Sequence, residues 1–248
     1  LIVPGRMSVY REVSVGIQAI FADYTDLIQP LSLDEAYLDV TESQACRGSA
    51  TLIAKEIRQR VEATQGITVS AGVAPNKFLA KIASDWNKPD GLKVILPHEI
   101  EAFVHALPVT KLHGVGKVMA ERLKRVGVDV CSELLPWRKQ DLAREFGSFG
   151  ERLWQLARGI DDRPVVVESK RQSVSVENTY EHDLPDLAAC QAALPPLLDK
   201  LAERLGKLDS VYRVSKPFIK LKFHDFTQTT LEQAGAPVTL PETDDEEE

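Results

Sequence analysis

Two adjacent carboxylates interrupt an apolar, strand-forming run, Leu31-Ser32-Leu33-Asp34-Glu35-Ala36-Tyr37-Leu38-Asp39-Val40-Thr41. Leu33, Tyr37 and Val40 supply the bulk that favours a strand, and Thr41 and Ser43 mark its exit. Successive side chains of a strand point to opposite faces. One of the two acids therefore faces inward unless the strand bends there or ends at an open site. A carboxylate is rarely buried without a partner, and in a site built from acids that partner is most often a metal ion. On Asp34 and Glu35 alone, a solvated pair at a strand end fits as well as a metal site. Asp39, five residues beyond Asp34, falls on the opposite face of a regular strand and reads as structural.

The elements around this run alternate. Val9, Val13, Ile17, Ile20 and Tyr24 recur at helical spacing, with Ser8 as the expected cap. Ser49 is placed to cap a second helix carrying Leu52, Ile53, Ile57 and Val61 on one face. Residues 67–74 read as a strand, Pro75 as the first turn of a helix running to about Trp86, and residues 92–95 as a closing strand. The order is that of an α+β layered sheet. Residues 98–168 change to short helices broken by Gly114, Gly116, Gly127, Gly147, Gly150 and Gly159. Ser169–Gln172 make a polar linker, and Val174 and Val176 alternate as a strand would. A helix from about Leu187 to Leu208 follows, with Pro195 and Pro196 near a break or a first turn. Phe218–Phe223 then alternate apolar and basic, one face expected on a core and Lys220 and Lys222 on the other. From about Glu232 the chain reads as a disordered acidic tail.

The net charge of −7 argues against nucleic acid only at first sight. Six acids sit in the terminal run Glu242, Asp244, Asp245, Glu246, Glu247 and Glu248. Residues 200–222 hold Lys200, Arg204, Lys207, Arg213, Lys216, Lys220 and Lys222 against only Glu203 and Asp209, and a local stripe is what meets phosphate. A solvated helix face and a charged edge strand would give part of the same pattern. Cys46, Cys131 and Cys190 are odd in number and far apart, which fits a reduced cytoplasmic protein and neither a disulfide framework nor a zinc site. No apolar run approaches the ~18 residues a membrane span needs. The start, Leu1–Arg6, lacks the layout of a signal peptide and an initiator Met, so sequence is expected upstream.

Three blocks in a fixed order carry a resemblance. Ser32–Asp39 is the first. Ser70-Ala71-Gly72-Val73-Ala74-Pro75-Asn76-Lys77-Phe78-Leu79-Ala80-Lys81-Ile82-Ala83-Ser84-Asp85, running on through Asn87-Lys88-Pro89-Asp90-Gly91, is the second. Leu112-His113-Gly114-Val115-Gly116-Lys117 is the third. Over nearly the whole chain they resemble the Y-family translesion DNA polymerases of bacteria. Three ordered blocks are far more specific than any one motif.

The resemblance implies a multidomain α+β chain. Residues 1–96 would be a partial polymerase palm with a ferredoxin-like sheet, lacking its first strand and the fingers. Residues 97–168 would be a small helical thumb with a helix-hairpin-helix, 169–172 a linker, and 173–248 an incomplete α/β little finger. It implies template-directed, low-fidelity DNA synthesis in DNA repair by two-metal phosphoryl transfer, with two Mg²⁺ ions. Asp34 and Glu35 would be metal ligands, Glu35 also catalytic, and Lys88 a contact to the incoming triphosphate. Gly114, Val115, Gly116 and Lys117 would offer backbone amides to DNA phosphates, with Lys220 and Lys222 on DNA as well; His113 stands where the family often has Pro. Lys77 and Lys81, four apart on one helix face, would be DNA contacts or a solvated face. The expected partners are primer-template DNA, deoxynucleoside triphosphates and a sliding clamp, though no clamp-binding peptide is visible; a cytoplasmic monomer is expected, with no membrane. With its third acid expected upstream, this chain alone would extend no primer. Two alternatives stay open: a non-catalytic fragment that grips the DNA backbone, and a helix-hairpin-helix DNA repair protein.

Overall fold

The computed structural model describes residues 3–168, 170–209 and 211–233. The chain divides into two compact units, 1–169 and 170–248.

In the first unit, α1 (Met7–Ala22) opens without a side-chain cap; Arg6 is the capping residue, and Ser8, the expected cap, lies inside the helix. β1 (Ile28–Pro30) and β2 (Ala36–Leu38) form an antiparallel hairpin with Ile28 opposite Leu38 and Pro30 opposite Ala36. The two acids are therefore not within a strand. They lie on the connection just before β2, where the Leu31 amide donates to the Glu35 carbonyl at 2.8 Å. α2 (Ala50–Gln65) is capped by Ser49, whose hydroxyl accepts from the Leu52 amide, and ends on left-handed Gly66. β3 (Ala71–Val73) is shorter than the sequence suggests and pairs in parallel with β4 (Leu92–Val94). α1 and α2 bury Ile20, Tyr24, Ile53, Ile57 and Val61 together, with Leu38, Val40 and Val69 packed against them. The first strand pair is thereby tied to these helices through Leu38, and β3 and β4 pack against α2.

α3 (Lys77–Trp86) is the spine of the unit. Its cap is Asn76 rather than the preceding Pro75: the Asn76 side chain accepts from the Leu79 amide at 3.0 Å and donates to the Gly159 carbonyl at 2.8 Å. α3 lies so close to β3 that a Cβ on Gly72 would come within 2.1 Å of the Ala80 carbonyl oxygen, so only glycine permits the contact. The apolar side of α3, with Phe78, Leu79, Ile82 and Ala83, runs into one continuous core with Val104, Leu107, Leu112, Leu123, Leu134, Leu142, Leu153 and Leu156. That core belongs to the short helices α4 (Ile100–His105), α5 (Lys117–Arg125), α6 (Lys139–Phe146) and α7 (Ser148–Leu156) and the turns between them.

The second unit holds α8 (Leu187–Ala192), α9 (Leu194–Gly206) and an antiparallel hairpin of β5 (Phe218–Lys222) and β6 (Gln228–Glu232). Pro195 and Pro196 occupy the first turn of α9, where their missing amides cost nothing. No strand forms at Val174–Asn178, contrary to its alternation. A two-residue pattern needs a neighbouring strand to take its hydrogen bonds, and among the described residues none lies beside it. Every residue of β5 is exposed, so the apolar face expected on a core, Ile219 and Leu221, is uncovered among the described residues. The acidic tail expected from about Glu232 lies outside the described residues except for Glu232, which ends β6, and Gln233.

Candidate active site and nucleic-acid interface

The β1–β2 connection presents Asp34 and Glu35 at the surface beside α3. The Ser32 hydroxyl donates to Asp34 Oδ1 at 2.6 Å. Glu35 Oε1 accepts from Lys81 Nζ at 2.7 Å. Lys77, one turn earlier on α3, donates to Gln29 Oε1 at 2.7 Å and to the Pro164 carbonyl at 2.6 Å, and its ammonium lies 5.4 Å from the centre of the Tyr37 ring. Burial pulls the Lys77 ammonium below the ordinary lysine range, helped by the Arg163 charge, and pushes the Tyr37 hydroxyl up. Lys77 thus braces the hairpin, while Lys81 meets Glu35. Asp39 turns away, its carboxylate accepting from the Thr41 amide and hydroxyl, which holds it below the ordinary range.

Lys88 follows α3 in a turn held from three sides. Asp90 Oδ1 pairs with Arg58 Nη2 at 2.6 Å, the Gly91 amide donates to Ser70 Oγ at 3.1 Å, and Asn87 Nδ2 donates to the Leu92 carbonyl at 3.1 Å. Lys88 Nζ reaches back to Asp85 Oδ1 at 2.5 Å. That hydrogen bond, with the charges of Lys81, Lys88 and Lys111, keeps the Asp85 carboxyl below its usual range. Asp85 escaped the sequence reading. Its spacing of four from Lys81 and three from Lys88 was the available signal.

The α5 loop separates its two glycines. Gly114 adopts φ +98°, and a Cβ there would meet the Phe149 ring at 2.7 Å, so this glycine serves the turn and its packing. Gly116 precedes α5 in ordinary extended backbone with open space around it. The amides of Gly116 and Lys117 have no acceptor among the described residues, at the positive end of the helix. Val115 departs from the expectation: its side chain is buried in the core and its amide donates to the Leu112 carbonyl at 3.0 Å, so it offers no donor to a phosphate. In the second unit, Lys220 and Lys222 project from one side of β5, opposite Thr230 and Gln228, with Lys222 Nζ 4.6 Å from the centre of the Phe226 ring.

Sequence pattern missed Asp161, the most heavily partnered group of the unit. Its side chain is fully buried, takes two hydrogen bonds from Arg163 at 2.7 and 2.8 Å and a charge contact from Arg152 at 3.1 Å, and accepts from the Phe78 amide at 3.0 Å. Burial alone would raise this carboxyl. The Arg163 hydrogen bonds and the two guanidinium charges outweigh it and hold the group at about 2. The acid sits on the first turn of α3, where a helix favours negative charge. With the Asn76–Gly159 bond, it fastens the chain leaving α7 to the helix that carries Lys77, Lys81 and Asp85.

As candidate metal ligands, Asp34 and Glu35 supply adjacent hard oxygen donors, Asp34 exposed and Glu35 half-buried. Mg²⁺ commonly takes one or two carboxylates and completes its shell with water and substrate phosphate, and the pair fits that pattern. Among the described residues, no group of three His, Cys, Asp or Glu is placed to hold a metal by itself. No described helix is long and apolar enough to cross a membrane.

Comparison with known proteins agrees over most of the chain. The impB/mucB/samB family matches residues 1–85, the thumb domain described for DNA polymerase-iota matches 110–161, and the impB/mucB/samB C-terminal domain matches 171–248. DNA polymerase IV of Pseudomonas putida GB-1 is 67% identical over 236 residues, covering 95% of this chain and 67% of the relative. DNA polymerase IV of Pseudomonas entomophila L48 is 66% identical over 235 residues, covering 95% and 66%. Among solved structures, a Y-family DNA polymerase chimera of Dbh and Dpo4 superposes with a TM-score of 0.81 at 27% identity, over 96% of this chain and 68% of that one. An insertion ternary complex of Dbh DNA polymerase gives 0.65 at 27% identity, over 97% and 69%. The chain belongs to the Y family of DNA polymerases. It spans about two thirds of the length of the DNA polymerase IV relatives it matches.

Proposed function

We propose that the chain is the catalytic-palm, thumb and little-finger part of a template-directed translesion DNA polymerase, with residues 1–96, 97–168 and 173–248 in those roles. Asp34 and Glu35 hold divalent cations, Mg²⁺ in the cell, and Lys88 binds the incoming triphosphate. The observation that carries this reading is the placement of an acid pair and a turn-held lysine at one helix, α3, in a chain of this family.

Phosphoryl transfer asks for positioning and charge neutralisation more than covalent help. Divalent cations held by the two carboxylates supply positive charge where negative charge develops on the transferred phosphoryl group. The protein's part is to fix the carboxylates on a short hairpin, back that hairpin with Lys77, and offer the Lys88 ammonium as a point charge to the phosphates. The Gly116 and Lys117 amides at the α5 N-terminus grip a backbone phosphate without reading bases, and Lys220 and Lys222 add charge contacts. Primer-template DNA and deoxynucleoside triphosphates are the partners.

The test is a chimera in which this chain replaces the matching segment of the Pseudomonas putida relative. Primer extension that requires a divalent cation is expected; a folded chimera that extends nothing would overturn the proposal. In the same chimera, Gly116→Val lowers DNA affinity about tenfold: the amide remains, but a branched side chain fills the open space through which a phosphate approaches it, and one charge-assisted hydrogen bond is worth about that much. The loss is equal for all sequences. A loss confined to some sequences, or none in a folded protein, contradicts the phosphate role.

A further inference from the structure

Lys81 and Asp85 of α3 link the two halves of the proposed site in a run of alternating charge. Lys81 Nζ lies 2.7 Å from Glu35 Oε1 and 3.8 Å from Asp85 Oδ2. Asp85 Oδ1 lies 2.5 Å from Lys88 Nζ. In space the order is Glu35, Lys81, Asp85, Lys88. The outer two are the groups assigned to cation and triphosphate; the inner two have no role in that assignment.

The four groups cannot all keep their partners once a ligand arrives. A divalent cation on Glu35 competes with the Lys81 ammonium for the same carboxylate, and the two like charges repel. The nearest other acceptor for Lys81 is Asp85, one helical turn along the same face. Asp85 is then shared between two ammonium groups and holds each less tightly. Lys88 lies beyond the end of α3 with its side chain about half exposed, so once loosened it is free to turn toward an anion.

We propose that Lys81 and Asp85 are positioning residues that couple the two halves of the site. A cation on Asp34 and Glu35 hands Lys81 from Glu35 to Asp85, and this releases Lys88 for the triphosphate. Linkage makes the effect mutual: occupancy of Lys88 by phosphate favours the cation. The inference rests on the assignment of Asp34, Glu35 and Lys88 above.

The experiment uses residues 1–248 and needs no catalysis. Amine acylation at Lys88 is followed by mass spectrometry with and without Mn²⁺ at equal ionic strength, and Mn²⁺ binding is read in parallel by electron paramagnetic resonance. In the unsubstituted chain, Mn²⁺ raises the Lys88 acylation rate about two- to fivefold, the span of an exposed ion pair. Asp85→Asn, half-exposed and isosteric, shows the raised rate without Mn²⁺ and no further response. Lys81→Met still binds Mn²⁺, but its Lys88 no longer responds. Glu35→Gln loses the Mn²⁺. If Mn²⁺ binds and Glu35→Gln abolishes binding while Lys88 stays unresponsive, the coupling is wrong and the carboxylate assignment stands. If Glu35→Gln leaves Mn²⁺ binding unchanged, or no Mn²⁺ binds, both fall.

Discussion

Glu35→Gln in the chimeric polymerase lowers nucleotide addition by about a thousandfold while primer-template affinity stays unchanged. The size follows from the role. Charge held at the transferring phosphoryl group is worth several kcal/mol, and each 1.36 kcal/mol is a factor of ten in rate. The substitution keeps the shape of the side chain and removes only its charge. Glu35 is half-buried on a hairpin connection, and its one ion pair, with Lys81, is of the partly exposed kind that contributes little to stability. The loss should therefore fall on kcat/KM and not on folding. Single-turnover extension beside a DNA-binding isotherm separates the two. Extension at the unsubstituted rate would remove Glu35 from the site.

Asp161→Ala destabilises the first unit by about 3 kcal/mol or more, because it leaves Arg152 and Arg163 without their shared anion and uncaps the Phe78 amide. Trp86, Trp137 and Trp154 all lie in residues 1–169, so tryptophan fluorescence in a urea titration of the whole chain reports that unit. The same residue gives a pH signature. Its folded pKa of about 2 lies below the ordinary aspartate value near 3.8, so the unfolded state binds the proton first. The stabilisation is complete above that ordinary value and is lost as pH falls toward 2. The unsubstituted chain should lose midpoint urea concentration over that window, and Asp161→Ala should show a smaller loss there. A destabilisation under 1 kcal/mol, or an equal acid response in both, would mean the buried cluster is not the fastening described.

What the sequence disclosed and what it hid follow from range. Ser49, Asn76 to Trp86, and Pro195-Pro196 act within a turn of helix, and their patterns are local. The acid pair stands out in the sequence, but the turn that carries it does not. Leu33 and Tyr37 favour a strand, and only the pairing of Pro30 with Ala36 shows that the chain reverses between them. Asp161 acts on Phe78, 83 residues away, and no local periodicity announces that partner. Residues 174–178 and β5 alternate as strands should. Alternation states only which side chains share a face: residues 174–178 find no partner strand among the described residues, and the apolar face of β5 has no cover there. Gly114 and Gly116 look alike in sequence, yet one is required by φ and the Phe149 ring and the other by neither.

The central claim is that Asp34 and Glu35 gather a divalent cation against α3. It is tested most directly by binding Fe²⁺ to residues 1–248 in place of Mg²⁺ and generating hydroxyl radicals with ascorbate and peroxide. Backbone cleavage marks the residues nearest the cation. Cuts are expected within residues 31–39 and around Lys81, suppressed by excess Mg²⁺ and absent from Asp34→Asn and Glu35→Gln. Cleavage elsewhere, or cuts at that hairpin that survive both substitutions, would contradict the account.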